Sequence, residues 1–243
     1  MERQEFHAMR QLEDHYWWFV IKRSFIKNTL KLIKFPKKSK ILDIGCGTGK
    51  NLEMLSNYGS TYGIDPSNLA IKYCRQRGLS NLKKGSINAL PYNSQSFDLV
   101  TLLDVLYHKN IKNDHQALKE IYRVLKPEGY LLITDMAHQF LYGPHDISMH
   151  ARQRYSKKEL ISRVNQAGFK VKKSSYYFLT TFPILIINRF IKKIIYKNKS
   201  SSNVRLIPLL FNQLLIFIYR LEIEIYKYFS LPTGSSIIIL AQK

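Results

Sequence analysis

Acidic residues are scarce in this chain: 17 Asp and Glu stand against 38 Lys and Arg over 243 residues, a formal net charge of +21. Such an excess fits nucleic acid or an anionic membrane surface. The basic residues are scattered, however, and no helix-turn-helix, finger or RNA-binding aromatic signature accompanies them. A general Lys-, Asn- and Ile-rich bias or a membrane-facing surface therefore outweighs nucleic acid, and no nucleic-acid partner is expected. Cysteine is nearly absent. Cys46 and Cys74 cannot staple a chain of this size, and Cys46 falls in a glycine-rich run where packing needs a small residue more than a thiol. No CxxC or HExxH spacing occurs, so no metal site is expected. Long apolar runs are missing too. The two best, beginning at Phe182 and Leu206, are broken by Asn188-Arg189 and by Asn212-Gln213 and Arg220, short of the roughly 18 unbroken residues of a membrane span. The start, Met1-Glu2-Arg3-Gln4-Glu5, lacks the apolar core of a secretory signal, so the expected location is cytoplasmic, with the inner face of the membrane as a peripheral site. What the chain does have is core material: 45% hydrophobic and 13% aromatic residues exclude a disordered chain. Its length suits one large domain or a domain with an insertion.

The first forty residues read as helical, with Phe19, Ile26, Leu30 and Ile33 near one face and Pro36 as the stop. From Lys40 the texture alternates. Short apolar strands are expected at Ile41–Ile44, Thr61–Ile64, Asn81–Lys84, Phe97–Leu102 and Gly129–Thr134, with helices near 51–57, 69–77 and 113–125 between them. A Pro-, His- and Gly-rich loop over 137–155 precedes a helix at Lys157–Ala167, with Ser156 as N-cap and Gly168 as its stop. Strands follow at Phe169–Phe178 and Ser235–Ala241. The pattern predicts an α/β fold: a doubly wound, mostly parallel, seven-stranded, Rossmann-like sheet, with an N-terminal helical cap (1–38), a core (39–178), a helical insertion between the last two strands (179–230) and a terminal strand (231–243).

Asp43-Ile44-Gly45-Cys46-Gly47-Thr48-Gly49 is the central signal. Glycines at alternate positions permit positive φ and close backbone approach, at the carboxyl end of the first strand, where open α/β sheets bind ligands. Alone, GxGxG fits a dinucleotide site or a ligand-free tight turn equally well. Asp65 ends the second strand in Tyr62-Gly63-Ile64-Asp65-Pro66, suited to accept hydrogen bonds from two ribose hydroxyls, and Gly85-Ser86-Ile87 follows the third. As a combination, residues 40–136 resemble the class I S-adenosylmethionine-dependent methyltransferases, in particular the small-molecule group often called methyltransferase type 11. The resemblance implies S-adenosyl-L-methionine as cofactor. Asp43, Gly45, Cys46 and Gly47 would hold its methionine end, Asp65 and Pro66 its ribose, and Ser86 and Ile87 its adenine. The family commonly has an acid where this chain has Ser86. Asp104, after the fourth strand, would face the methyl region.

Two further stretches resemble a bacterial subgroup of this family. The loop Gly143-Pro144-His145-Asp146-Ile147-Ser148-Met149-His150, followed by Arg154 and Tyr155, matches an HDxxxH…RRY pattern, with Gln153 in place of the first Arg. There, His145 or His150 could act as base with Asp146 fixing its tautomer, or the set could simply brace the loop. His108 is a second base candidate. Near the amino end, Glu13, His15, Trp17, Trp18 and Arg23 resemble a leader helix in which an aromatic pair closes over the cofactor and Arg23 pairs with its carboxylate.

Between 178 and 230 stand eight Lys or Arg against Glu222 and Glu224. Such an element could lie on an anionic membrane, cover a lipid-linked substrate, form a dimer surface, or pack as a hairpin on its own domain. The expected activity is methyl transfer to a small-molecule or glycan- or lipid-linked acceptor, most readily at oxygen. The alternatives are a cofactor-binding module without catalysis and a nicotinamide-dependent oxidoreductase, whose loop would read GxGxxG where this chain has Lys50 and Asn51 after Gly49.

Overall fold

Two helices open the chain in the computed structural model, which describes residues 3–195 and 207–243. The amino-terminal stretch breaks at 13–16 into α1 (Arg3–Leu12) and α2 (Trp17–Leu30). Ile21, Lys22, Phe25, Ile26, Thr29 and Leu30 recur at helical spacing and make the buried face of α2, which ends before the expected stop at Pro36.

The core then alternates: β1 (Lys40–Ile44), α3 (Lys50–Leu55), β2 (Ser60–Asp65), α4 (Asn68–Gln76), β3 (Leu82–Lys84), β4 (Phe97–Leu103), α5 (Asp114–Val124) and β5 (Leu125–Met136). Beyond the segment 137–155, which contains α6 (Pro144–Ser148), come α7 (Lys157–Gln166), β6 (Lys170–Tyr177), α8 (Phe182–Ile195), α9 (Leu209–Tyr228) and β7 (Ser236–Gln242). Among the described residues the sheet has seven strands in the order β3-β2-β1-β4-β5-β7-β6. The first five are parallel, and β7 runs antiparallel between β5 and β6, pairing Leu132 with Leu240 and Ser174 with Ile239. Period-two alternation sends Leu42, Ile44, Ile237 and Ile239 toward α5 and α7, and Ile41, Ile238 and Leu240 toward α2 and α9. Side-chain N-caps start three of the helices: Ser67, Asn113 and Ser156 accept from Ala70, Gln116 and Glu159 N–H.

Two expectations need correction. β5 begins at Leu125 rather than Gly129, because Leu125 already pairs with Phe97 ahead of an irregularity in the ladder. The segment 137–155 is not a plain loop. It holds a 3-10 turn at Gln139–Leu141 and the helix α6, which Pro144 opens and Asp146 closes back on Gly143 N–H at 2.8 Å. Of the alternatives for 179–230, packing on its own domain describes α9. α9 lies on α2, with Phe25 and Tyr226 rings 5.0 Å apart and Thr29 bonded to Tyr226, while Ile184, Ile187 and Phe190 of α8 stay exposed. Lys197, Lys199 and Arg205, counted among the basic residues, lie outside the described residues, as does Leu206.

Candidate functional site

Strands β1 and β4 are neighbours, yet their connections leave toward opposite edges of the sheet, and the crevice this creates holds a cavity of about 620 Å³. That volume lies within the ~300–1,000 Å³ of small-molecule sites. The glycine turn, the ends of β2 and β4, helix α1, the start of α2 and helix α6 with Met149 form its walls.

The glycine turn is built to be approached. Gly45 and Gly47 have φ of +72° and +55°, and a Cβ on Gly45 would lie 2.5 Å from Val105 Cγ2. Asp65, 7% exposed, accepts Gly47 N–H at 3.1 Å on one carboxylate oxygen and Ser67 N–H at 2.8 Å on the other. A carboxylate has about four acceptor positions, so each oxygen keeps one for a ligand hydroxyl. Burial raises its pKa above the usual carboxylate value, and the two N–H groups work against that shift. Pro66, Cys46 and Ile87 complete this wall, with Ser86, whose hydroxyl also accepts from Asn88 N–H at 3.3 Å. Cys46 Sγ and Cys74 Sγ are free thiols 3.7 Å apart.

Asp43 does not reach the cavity. It is buried beneath the turn, where it accepts from Thr101 Oγ1 at 2.6 Å. Burial pushes its carboxyl up to about 7, only partly countered by Thr101 and Lys22. Its contact is with the sheet under the turn, so the direct hold on a ligand expected of it is not what the geometry gives.

Opposite the turn, the leader helices cover the crevice. Trp18 stacks on Phe178 with centroids 6.0 Å apart, and Lys22 Nζ sits 5.3 Å from the Trp18 ring. Arg23 lines the cavity and donates to the Glu13 carbonyl; desolvation lowers its pKa. Glu13 is buried, and its carboxylate takes bonds from Thr48 of the turn and from Arg77, which fastens the α1–α2 junction to the turn. Asp104 adopts a left-handed φ of +59°, with Oδ1 accepting from Thr134 at 2.9 Å and Oδ2 paired with Lys22 Nζ at 2.5 Å. Sequence reasoning missed Lys22. It follows Trp18 by one helical turn, which puts it on the face that meets the sheet, and only its partner, 82 residues away, explains why a lysine is buried there.

The candidate bases separate. His145 lines the cavity wall, and the protein mass around it lowers its pKa by desolvation, so the ring is neutral near pH 7. His108 also lines the cavity, with its pKa pushed down to about 4 by desolvation. Its Nδ1 accepts Asn110 N–H at 3.2 Å, which leaves the proton on Nε2 and removes the basic nitrogen from service. His150 does not line the cavity; its ring is 5.9 Å from that of His108. Asp146, fully buried, gives its carboxylate to Arg154 at 2.7 and 3.1 Å, to Arg189 at 3.4 Å and to Gly143 N–H. It braces the segment rather than orienting His145. Tyr155 and Arg152 do likewise through buried Asp114, at 2.9 and 2.6 Å.

This crevice, with its glycine turn, the acid at the end of β2 and the antiparallel last strand, has the fold of the class I S-adenosylmethionine-dependent methyltransferases. Residues 42–133 match the family described as "Methyltransferase domain". Over 119 residues the chain is 41% identical to a demethylmenaquinone methyltransferase of Lactobacillus johnsonii, covering 42% of this chain and 48% of that one. It is 38% identical over 104 residues to a tRNA (carboxymethyluridine(34)-5-O)-methyltransferase of Arabidopsis thaliana, covering 42% of this chain and 25% of that one. The chain thus spans from a quarter to about half of the length of these relatives. A solved S-adenosylmethionine-dependent methyltransferase from Thermotoga maritima has the same fold, with a TM-score of 0.60 at 20% identity over 99% of this chain and 95% of that one. The residues present fit the cofactor the fold implies: Gly45 and Gly47 offer bare backbone to the cavity, and Asp65 keeps two acceptor positions.

Proposed function

We propose that this protein methylates a largely apolar small-molecule or lipid- or glycan-linked acceptor at a hydroxyl oxygen, working at the inner face of the membrane. The neutral His145 imidazole in the wall of a cavity that also holds the cofactor turn carries this reading. S-adenosylmethionine, when bound, supplies an electrophilic methyl group on a sulfonium that leaves without protonation. Gly45, Gly47 and Arg23 hold its methionine end and Asp65 its ribose. The chain's remaining task is to position the acceptor and take its proton. Lys22 keeps N–H donors beyond the one Asp104 occupies and directs one to the acceptor oxygen, making the hydroxyl easier to ionise. His145 accepts the proton. Trp18, Met149 and Tyr107 give the wall its apolar character. The matched family region stops at residue 133, before α6 and before the insertion, so the relatives' acceptors do not carry over with it.

A second reading has a specific observation behind it: 32% identity over 130 residues to a ubiquinone/menaquinone biosynthesis C-methyltransferase of Geotalea daltonii favours carbon as the acceptor atom. The same base and lysine would serve that chemistry. One experiment separates the readings. Cofactor labelled in its methyl group is offered with a membrane-lipid extract, an aqueous metabolite extract and bulk tRNA. Label is expected in the apolar fraction, released as methyl iodide by hydriodic acid. A label that resists the acid moves the site to carbon, and label in tRNA overturns the acceptor class. His145→Gln should slow transfer about a hundredfold with cofactor affinity unchanged.

A further inference from the structure

We propose that α8, α9 and the exposed side of the α6 segment form a docking face for an anionic lipid bilayer, on which the chain lies with its cavity beside the surface. The proposal rests on the reading of an apolar acceptor and adds the surface, its lipid chemistry and its residues. Along α9, Leu210, Leu214, Phe217, Leu221, Ile225 and Tyr228 recur at steps of three and four and are all exposed, Leu210 at 75% and Tyr228 at 79%. The opposite side of the same helix is buried on α2 through Asn212, Tyr219, Ile223 and Tyr226. The helix is therefore inverted for a water-soluble surface: its most apolar stripe, about 30 Å long, faces outward. Such a contiguous stripe marks an interaction site.

The stripe continues toward the cavity. Glu222 of α9 accepts Leu179 N–H at 3.0 Å and Thr180 N–H at 2.9 Å, holding the start of α8 against α9. On α8, Ile184, Ile187 and Phe190 are exposed, and Phe182 meets exposed Phe140 with centroids 6.4 Å apart. Ile147, also exposed, lies on α6, the helix whose His145 lines the cavity. Arg189 ties α8 to that segment through the Leu141 carbonyl at 2.9 Å, and Asn212 ties α9 to the other wall through Trp17 N–H at 2.8 Å.

Charge selects the occupant. In sequence, residues 179–230 carry eight Lys or Arg and two acids; Glu222 lies inside the fold, Glu224 pairs with Lys227 at 2.5 Å, Arg189 pairs with Asp146, Arg220 is exposed on α9, and Lys197, Lys199 and Arg205 lie outside the described residues. A second copy seated by two-fold symmetry would set like patches together on chains of +21 each. Anionic headgroups complement the positive charge that this segment carries in sequence, while the acyl region takes the stripe. No helix among the described residues is long and apolar enough to cross a membrane, which leaves a helix lying in the interface.

The test is vesicle flotation with the whole chain, using phosphatidylcholine alone and an equal mixture of phosphatidylcholine and phosphatidylglycerol. The protein should float with the mixture at low salt, less at high salt, and weakly with phosphatidylcholine. Leu214→Glu with Leu221→Glu, both on the exposed stripe, should weaken binding about tenfold or more. No flotation with the anionic mixture overturns the proposal, and so does a doubled mass without lipid that the paired substitution abolishes. Calorimetry with S-adenosylmethionine on the same preparations keeps the two readings apart. Cofactor binding without flotation sinks the surface alone, whereas flotation without cofactor binding sinks the enzyme reading alone.

Discussion

At the residue scale, burial decides what each acid near the turn does. Asp65 keeps acceptor capacity at the cavity wall, and Asp65→Ala should weaken S-adenosylmethionine binding more than tenfold by calorimetry, at least about 1.4 kcal/mol. Asp43 behaves differently. Its folded pKa, near 7, lies above the value of an unfolded aspartate, so the fold favours the protonated carboxyl. That contribution is fully present below about pH 4 and is lost as pH rises through about 7. Asp43→Asn imitates the protonated form. Its thermal midpoint should match wild type near pH 4 and exceed it near pH 8 by on the order of a few degrees; a difference independent of pH would contradict the assignment. The two acids read alike in sequence, each near the carboxyl end of a strand with a glycine two positions away. Only pairing tells them apart: Thr101 on the neighbouring strand donates to Asp43, and backbone N–H groups hold Asp65 at the surface of the crevice.

At the element scale, β1, β2 and β4 were legible as short, largely apolar runs closed by glycine or an acid, and the start of α7 because Ser156 is an ordinary cap. The segment 137–155 was not legible as structure. Its order comes from Asp146, Arg154 and Arg189, and the last of these is 43 residues from its partner. The HDxxxH…RY pattern was visible, but its meaning as a brace needed the ion pair. Arg154→Met should therefore destabilise the fold by roughly 3 kcal/mol in urea, because it strips a buried carboxylate of its main partner. Paired with Asp146→Asn it should show a coupling above about 1 kcal/mol in a double-mutant cycle. Additive losses would mean that the two side chains act separately.

At the scale of the whole molecule, the cavity is assembled from distant stretches: α1 and α2 from one side, the strand ends from below, α6 and Met149 from the other. The strand ends could be found by motif. The leader helix could be found by resemblance, but how it fastens to the turn could not, because nothing in Glu13 alone points to Thr48 and Arg77. Saturating cofactor, at about a hundred times its dissociation constant, should stabilise the protein by about 2.7 kcal/mol. Amide exchange should then slow in 3–12, 44–49 and 144–149 together and stay unchanged in β6. Protection confined to the glycine turn would show that the cover takes no part in binding.

The last strand to be reached along the chain sets an order of assembly. Among the described residues, β6 has β7 as its only neighbour in the sheet. During synthesis, residues 170–177 emerge some sixty residues before their partner, and α8 and α9 emerge in between. β1 to β5 can pair among themselves as they appear, but β6 has to wait, with Tyr176 and Tyr177 uncovered, until 236–242 slides between it and β5. A nonsense mutation near residue 230 would thus cost two strands rather than one and leave the outer edge of β5 open.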